Sequence, residues 1–252
     1  MKRNVVLSLI AAGLALLPVA STKAFNTSVG VGATAITSVP FTIATSGNYY
    51  LANNVSFAGF SGAAITITAS QVVLDLNGRT ISSSQASAVD FGVYVVNQVD
   101  VTIQNGDIDN FYYGVLLAPN SSDNNAKNTV ANVKFNGNQV GVFSISGQSN
   151  LVKDCIIDGG DVGIWFLADL GGSRADNNIL ENQKAGESIG MGIALLSTGS
   201  GGVVFNNNVV AKGSNGVGML MSGTDKYRFD SFVGFPANSP HAGGTNELAD
   251  SL

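Results

Sequence analysis

The chain is poor in cysteine, histidine and charge, and each shortage excludes something. A single cysteine, Cys155, excludes an intrachain disulfide in any compartment, so packing and hydrogen bonds have to hold the fold. Charged residues make up 12% of the chain, about half the share in ordinary soluble proteins. The only histidine, His241, stands in a Ser-Pro-His-Ala stretch near the C-terminus, where a solvated side chain is expected more than a catalytic one.

Glycine, asparagine and β-branched residues are abundant instead. The 252 residues include 31 glycines and only 5 prolines. Strands favour β-branched residues, and tight turns favour glycine and asparagine. The composition therefore predicts short strands separated by tight turns, in one domain large enough to bury a sizeable core.

Residues 1–24 have the pattern of a secretory signal peptide. A basic start at Lys2 and Arg3 is followed by an apolar run at residues 5–20 and by small residues before Phe25, the predicted cleavage point. A retained membrane anchor fits less well, because the run is short for a spanning helix. No later stretch of the sequence could span a bilayer. We therefore predict export to the periplasm, the cell surface or the medium.

Net charge limits the partners of the exported chain. Cleavage before Phe25 removes three of the 12 basic residues and leaves 9 against 17 acidic ones, a net charge of −8 rather than −5. A protein this acidic is a poor unaided partner for nucleic acid or for an anionic polysaccharide.

Two interleaved patterns repeat along the chain with a period of 22 to 30 residues. One is an apolar–glycine–apolar step, with its glycine at Gly92, Gly114, Gly141, Gly163, Gly192 and Gly218. The other is a polar residue followed three positions later by an apolar one, with the polar residue at Asn105, Asn132, Asp154, Asn177 and Asn207. This period, with strands and no helical segment, predicts a solenoid, and the variable spacing favours a β-helix over leucine-rich repeats.

The polar residues of the second pattern are predicted to form a structural ladder. Stacked coils place equivalent side chains about 4.8 Å apart, so asparagine amides donate to and accept from their neighbours along the axis. Asparagine also tolerates the left-handed backbone of a bend. Asp154 cannot donate when ionised, but it can accept from Asn132 and Asn177.

A family resemblance rests on the stretch ITITASQVVLDLNGRTIS followed by GVYV, VTIQNG and YGVLL. The chain resembles the secreted bacterial right-handed parallel β-helix repeat proteins of the pectate-lyase-like class over about residues 45–230. Its DKYR segment and AGGTNELADSL end are similar to tails of that class. The predicted architecture is all-β: a right-handed parallel β-helix of about seven coils at residues 51–224, with an N-terminal cap or lead-in at 25–50 and an irregular C-terminal tail at 225–252.

The class includes lyases, hydrolases, epimerases and proteins without assigned chemistry, so activity depends on the site. A lyase would need an aspartate cluster holding Ca²⁺ beside a basic residue, and a hydrolase would need two or three neighbouring carboxylates. The Gly-His-Gly and Arg-x-Lys signatures usual in hydrolases of this fold are absent from the sequence. No cofactor is evident, and Ca²⁺ stays open as a ligand.

The best acidic candidates form one outward column, four residues after each polar position. We consider three of its members candidate catalytic residues: Asp109, Asp158 and Glu181. The alternative is a solvated acidic stripe paired with Lys134 and Lys153.

A second outward column stands two residues after each repeat glycine and consists of Tyr94, Leu116, Phe143, Trp165, Ala194 and Leu220. The argument for its outward direction assumes that Phe91 and Tyr113 face the core. Three interpretations stay open: a sugar-binding platform with Tyr94, Phe143 and Trp165 as substrate-binding residues; a contact between copies of the chain; or cover by the tail residues Tyr227, Phe229, Phe232 and Phe235.

Two functions of different class follow. The first is a non-catalytic exported protein that binds glycan or has a structural role at the cell surface. The second is a polysaccharide lyase or glycoside hydrolase acting on the outer face of the β-helix.

Overall fold

The structure, a computed structural model, describes residues 32–59, 61–84, 90–118, 126–184, 191–197, 203–205, 207–212, 217–221, 226–228, 231–233, 241–242 and 245–246. All the secondary-structure elements within these residues are β-strands. The predicted signal peptide lies outside them. No helix in the described part is long and apolar enough to cross a membrane.

The larger of two parallel sheets has 16 described strands in two rows, which share β9 and β11. The first row consists of β1 (Thr34–Ile36), β3 (Gly47–Leu51), β6 (Val72–Asp75), β9 (Thr102–Asp109), β11 (Thr129–Asn136), β13 (Leu151–Lys153), β16 (Arg174–Asp176), β19 (Val203–Phe205), β22 (Lys226–Arg228) and β25 (Thr245–Asn246). The second row adds β4 (Val55–Phe57), β7 (Thr80–Ser83), β14 (Ile156–Asp158), β17 (Ile179–Lys184), β20 (Asn208–Lys212) and β23 (Ser231–Val233).

The smaller sheet has nine described strands and closes the third side of the coil. Its strands are β2 (Phe41–Ile43), β5 (Gly62–Ile67), β8 (Asp90–Val96), β10 (Tyr113–Ala118), β12 (Val140–Ile145), β15 (Val162–Asp169), β18 (Met191–Ser197), β21 (Val217–Met221) and β24 (His241–Ala242). Each strand pairs in parallel with the equivalent strand of the next coil, for example β10 with β12 and β12 with β15. This arrangement is a parallel β-helix, which confirms the predicted fold class.

The number of coils differs slightly from the prediction of about seven. From β5 to β18 the smaller sheet contains six successive strands, and the chain therefore makes about five complete turns there. Shorter strands extend the stack at both ends, including β1 to β3 within the predicted lead-in.

The core lies inside the coil and is built from the predicted inward positions. Ile108, Phe135, Ile157 and Leu180 occupy one column of Cα partners, and all four are buried. Burying an apolar side chain of this size stabilises a fold by about 1.5–3 kcal/mol relative to exposing it. The column repeats once per coil, so the stacking of coils is the main source of apolar burial.

The repeat glycines allow close approach between coils. A Cβ atom on Gly114 would meet the carbonyl oxygen of Gly141 at 2.6 Å, and one on Gly141 would meet that of Gly163 at 2.6 Å. Real Cβ atoms do not tolerate such contacts, so only glycine fits. This is why the apolar–glycine–apolar step recurs on every coil.

At each of these glycines the strand has two consecutive buried positions, so the residue before the glycine faces outward. The assumption that Phe91 and Tyr113 face the core is therefore wrong. Both Gly92 and Val93 are buried, so two consecutive residues point inward at this step. Phe91 and Tyr113 instead pack in a separate apolar cluster outside the coil. Tyr94 faces outward as predicted, because Val93 and Val95 on either side of it are buried.

The polar residues of the repeat lie at the corner between the two rows of the larger sheet. Asn105, Asn132, Asp154 and Asn177 have left-handed φ values of 63°, 55°, 55° and 53°. Asn132 Nδ2 donates to Asn105 Oδ1 at 2.9 Å, and Asn177 Nδ2 donates to Asp154 Oδ1 at 2.7 Å. Asn105 in turn donates to Asp75 at 3.0 Å. The asparagine pattern therefore produces a hydrogen-bonded ladder at a strained corner.

Asn207 is displaced by one position from the predicted ladder. Ile179 pairs with Asn208, so Asn207 is aligned with Asn178 rather than with Asn177. The residue aligned with Asn177 is 206, which lies outside the described residues. Asn207 is buried, and its Oδ1 accepts from the backbone N–H of Asn178 at 2.9 Å.

The described part of the predicted tail continues the stack. Tyr227, in β22, pairs with Val204, and Phe232, in β23, pairs with Val209. Both strands therefore extend the larger sheet along the axis, so Tyr227 and Phe232 do not lie across the outward aromatic column. Phe229 and Phe235 lie outside the described residues.

Candidate functional site

The acidic column lies on the outer face of the second row, in the predicted register. Asn136 pairs with Asp109 on one side and with Asp158 on the other, and Asp158 pairs with Glu181. Asn136 Nδ2 donates to Asp109 Oδ1 at 2.7 Å. Neighbouring coils are about 4.8 Å apart. Asp158 and Glu181 are therefore direct neighbours, whereas Asp109 is separated from them by the Asn136 amide.

Asp107 is the carboxyl group in this region whose pKa departs from its usual range. Partial burial raises the pKa of Asp107, and the nearby Asp109 raises it further, while Lys134 and a hydrogen bond from Thr80 oppose the rise. Thr80 and Lys134 are its Cα partners on the neighbouring coils. Asp107 received no role in the sequence analysis, because the neighbours that shift its pKa come from two other coils.

The predicted lysine partners of the acidic column are not equivalent. Lys134 pairs with Ile156 and Asp107 and so lies on the same outer face. Lys153 lies in the first row, in register with Asp176, on the other side of the corner. Of these two lysines, Lys134 is the one placed to neutralise this face.

No three residues of the types His, Cys, Asp and Glu come together in a metal-binding arrangement within the described ranges. The acidic column is a line of single side chains, one per coil, and this geometry does not enclose a cation. A Ca²⁺ ion needs six to eight oxygen ligands at 2.3–2.6 Å, as a general rule.

The outward aromatic column belongs to an apolar cluster on the outside of the smaller sheet, which we call the outer cluster. It contains the buried residues Leu116, Val140, Phe143 and Val162 and the partly buried residues Phe91, Tyr94, Tyr113, Ala118, Ile145, Trp165 and Leu167. No member carries a charge. The cluster covers four successive strands of the smaller sheet, β8, β10, β12 and β15, and forms a continuous apolar face.

The aromatic rings of the outer cluster stack on one another along the axis. The ring centroids of Phe91 and Tyr113 are 5.5 Å apart, those of Tyr113 and Phe143 5.3 Å, and those of Phe143 and Trp165 4.6 Å. Phe143 keeps only 6% of its surface exposed. Of the three predicted substrate-binding aromatics, Phe143 is therefore internal to the stack, whereas Tyr94 and Trp165 keep part of their surface.

Trp165 stands at one end of the ring stack, opposite the small Ala194 of the next coil. Its Nε1 atom is buried and has no hydrogen-bond partner among the described residues. An indole N–H in such a place costs free energy unless an acceptor reaches it.

Sequence reasoning missed a second set of polar residues that lie inside the corners. These are the buried asparagines Asn128, Asn138, Asn150, Asn178 and Asn207. Asn178 shows the pattern: its Oδ1 accepts from the N–H of Cys155 at 3.0 Å, and its Nδ2 donates to the carbonyl of Val152 at 3.0 Å. The signal was the doubled asparagine Asn177-Asn178, in which the first residue serves the outer ladder and the second the interior.

Comparison with known proteins gives the family. A sequence model described as NosD, periplasmic copper-binding protein, matches residues 32–227, which is well over half of the chain. The chain belongs to the NosD family. No curated protein sequence matches it.

A solved structure supports the fold of this NosD-family chain. An alginate lyase from Paenibacillus sp. str. FPU-7 aligns with 86% of this chain and 91% of its own length, at 11% identity and a TM-score of 0.54. A likeness at this identity shows the fold alone. Together with the family match, it confirms the predicted resemblance to β-helix proteins of the pectate-lyase-like class.

The NosD name makes copper the metal to test against the donor groups of this chain. Protein copper sites use imidazole, thiolate and thioether ligands. Cys155 is buried, and its Sγ donates to the carbonyl of Lys153 at 3.2 Å. Burial raises the pKa of the Cys155 thiol to about 12, so the group is not a thiolate at neutral pH. Met219 is buried in the core, and His241 lies beyond the matched segment. These donors do not assemble a copper site.

Proposed function

We propose that this NosD-family chain is an exported, non-catalytic β-helix protein of the periplasm that binds neutral glycan along the outer cluster. The family description favours the periplasm. The observation that carries the proposal is the uncharged, partly exposed aromatic row on consecutive coils. The parallel strands repeat at about 4.8 Å, so the row offers equivalent contacts to a long, repetitive partner.

Contact is proposed for Tyr94, Tyr113 and Trp165, with Phe143 as a support beneath them. The faces of Phe143 are already covered by Tyr113 and Trp165. Because the ring faces are stacked on one another, we expect a ligand to meet ring edges and the tyrosine hydroxyl groups. Aromatic side chains with a polar group are well suited to a ligand that is apolar on one side and hydroxylated on the other.

Charge favours a neutral glycan over an anionic one. The full chain has a net charge of −5, which predicted cleavage before Phe25 makes more negative, and the acidic column on the second row adds a local negative field. Alginate is a polyanion, so the name of the structural neighbour is not carried over to this chain as a substrate.

Trp165 allows a direct test because it is the only tryptophan in the chain. Neutral cello-, xylo- and chito-oligosaccharides would be titrated while the fluorescence of Trp165 is followed, with alginate oligomers as the anionic comparison. We expect a saturable spectral shift with at least one neutral series and none with alginate.

Matched tyrosine variants locate the contact. Tyr94→Ala and Tyr113→Ala should each weaken binding about three- to tenfold, which is the loss of about 0.7–1.4 kcal/mol of contact. Tyr50→Ala, a partly exposed tyrosine in the first row, is the control and should leave affinity unchanged. Absence of both a fluorescence change and calorimetric heat with every glycan would reject the proposal.

A second function, a polysaccharide lyase or hydrolase, is favoured by the pairing of Asp107 and Asp109 on one outer face with a raised pKa at Asp107. A carboxyl with a raised pKa can act as a general acid. Incubation with a polysaccharide panel, with Ca²⁺ and with chelator, distinguishes the two functions. New reducing ends or unsaturated products that Asp107→Asn abolishes would favour the enzyme. Products that persist in the double variant Asp158→Asn with Glu181→Gln would show that Asp107 and Asp109, rather than Asp158 and Glu181, form its site.

A further inference from the structure

The position directly after each corner residue forms an interior column that changes character along the axis. Its occupants, in order of coils, are Gly106, Val133, Cys155, Asn178 and Asn207. The column begins with residues that have no polar side chain and ends with two buried asparagines. Cys155 stands at the transition, next to Asn178.

The thiol of Cys155 reaches the same acceptor that an asparagine amide reaches one coil later. Asn178 Nδ2 donates to the carbonyl of Val152, three residues before Cys155. Cys155 Sγ lies 3.8 Å from the carbonyl of Val130, three residues before Val133. The two contacts are equivalent by the repeat, and the longer distance fits the larger sulfur atom.

The side chains of this column also accept hydrogen bonds from the backbone of the preceding coil in a repeating way. The backbone N–H of Cys155 donates to Asn178 Oδ1 at 3.0 Å, and that of Asn178 donates to Asn207 Oδ1 at 2.9 Å. One coil earlier, the backbone of Val133 lowers the pKa of the Cys155 thiol, as a nearby N–H group does. The sulfur thus lies where an amide group would lie, between a backbone carbonyl and a backbone N–H, while its single proton has its nearest acceptor in the carbonyl of Lys153 at 3.2 Å.

We propose that Cys155 is a structural substitute for asparagine in this interior column, and that residues 32–227 of the chain hold no copper ion. A thiol used in this way is turned into the core and away from solvent. The segment has no histidine and no second cysteine to complete a site with it. The chain therefore belongs to the NosD family without a histidine ligand for copper in the matched segment, and the described sulfur donors there, Cys155 and Met219, are buried in the core.

Substitution of the thiol by an amide separates the structural role from ligation. Cys155→Asn should keep the unfolding midpoint at or above that of the wild type, since the amide donates to Val130 and accepts from Val133 more strongly than sulfur does. Cys155→Ala should lower the midpoint, because it removes the contacts of the sulfur and leaves a small cavity in the core. A Cys155→Asn variant no more stable than Cys155→Ala would overturn the structural part.

Copper itself is the second measurement. The purified chain would be exposed to Cu(I) under reducing conditions and to Cu(II), desalted, and assayed for metal per protein. We expect far less than one equivalent in the wild type and the same amount in Cys155→Asn. Stoichiometric copper that disappears only in His241→Ala would agree with the proposal, since His241 lies outside the segment. Stoichiometric copper retained in His241→Ala would overturn it.

Thiol reactivity provides a test that needs no variant. A disulfide reagent should label Cys155 only after denaturation, because the side chain is 1% exposed. Labelling of the native protein at the rate of the unfolded chain would contradict a buried structural thiol.

Discussion

Asn177 donates a hydrogen bond to Asp154 across neighbouring coils, with Nδ2 and Oδ1 2.7 Å apart. On the other side of Asp154, the amide of Asn132 donates away from it, to Asn105 at 2.9 Å. No hydrogen bond joins the side chains of Asn132 and Asp154, two described residues, so the ladder is interrupted at this step. An ionised carboxylate has no proton to offer across this step.

Replacing the acceptor with an amide should repair the ladder. We expect Asp154→Asn to raise the free energy of unfolding by about 0.5–1.5 kcal/mol, the net contribution of one hydrogen bond. Urea unfolding followed by circular dichroism measures it. The reverse change, Asn132→Asp, places two carboxylates on adjacent coils and should lower stability; equal stability of both variants would contradict the repair.

The glycine step should not tolerate a methyl group. In Gly114→Ala the new Cβ would meet the carbonyl oxygen of Gly141 at 2.6 Å and the ring of Phe135 at 2.7 Å. We expect a loss of about 1–3 kcal/mol, as for other overpacked interiors. Ser56→Ala, at an exposed position of β4, is the control and should change stability by less than about 0.5 kcal/mol. A wild-type unfolding midpoint for Gly114→Ala would show that the coils can separate freely.

The interior asparagines should contribute more than the exposed ones. Asn178→Ala removes the side-chain partner of the N–H of Cys155 and one hydrogen bond to the carbonyl of Val152. Each buried unsatisfied group costs about 1–3 kcal/mol, so we expect a loss of at least about 2 kcal/mol. Asn53→Ala, on an exposed residue, should cost far less. Thermal and urea unfolding of the two variants under the same conditions decide the question.

The raised pKa of Asp107 predicts that the free energy of unfolding depends on pH with a defined sign. Its pKa is raised in the folded chain above the ordinary value of 3.8, chiefly by burial. The folded state therefore binds the proton more tightly, and stability falls as pH rises from 3.8 through the raised value. Asp107→Asn removes this dependence and should be more stabilising at pH 7 than at pH 3. The group is partly exposed, so solvent keeps the effect small. A stability difference independent of pH would contradict it.

The sequence by itself determined the architecture and its columns. Glycine and asparagine recur once per coil because close approach and the left-handed corner admit few other residues. Their spacing alone therefore aligned Asp158 with Glu181 and Phe143 with Trp165, as the strand pairs have them. Because equivalent residues of successive repeats lie side by side in the stack, the spacing of the repeat gives the register of the strands.

Only the tertiary structure decided what each column does. A one-residue shift reverses the face of a strand residue, so the step at Gly92 moved Phe91 outside, and Asn207 moved from the corner to the interior. Hydrogen-bond direction also depends on the neighbours above and below, which is why the break at Asp154 and the amide-like place of Cys155 became visible only once the coils were stacked. The sequence repeat shows which positions of a solenoid are equivalent, and the packing between coils determines which contacts each side chain makes.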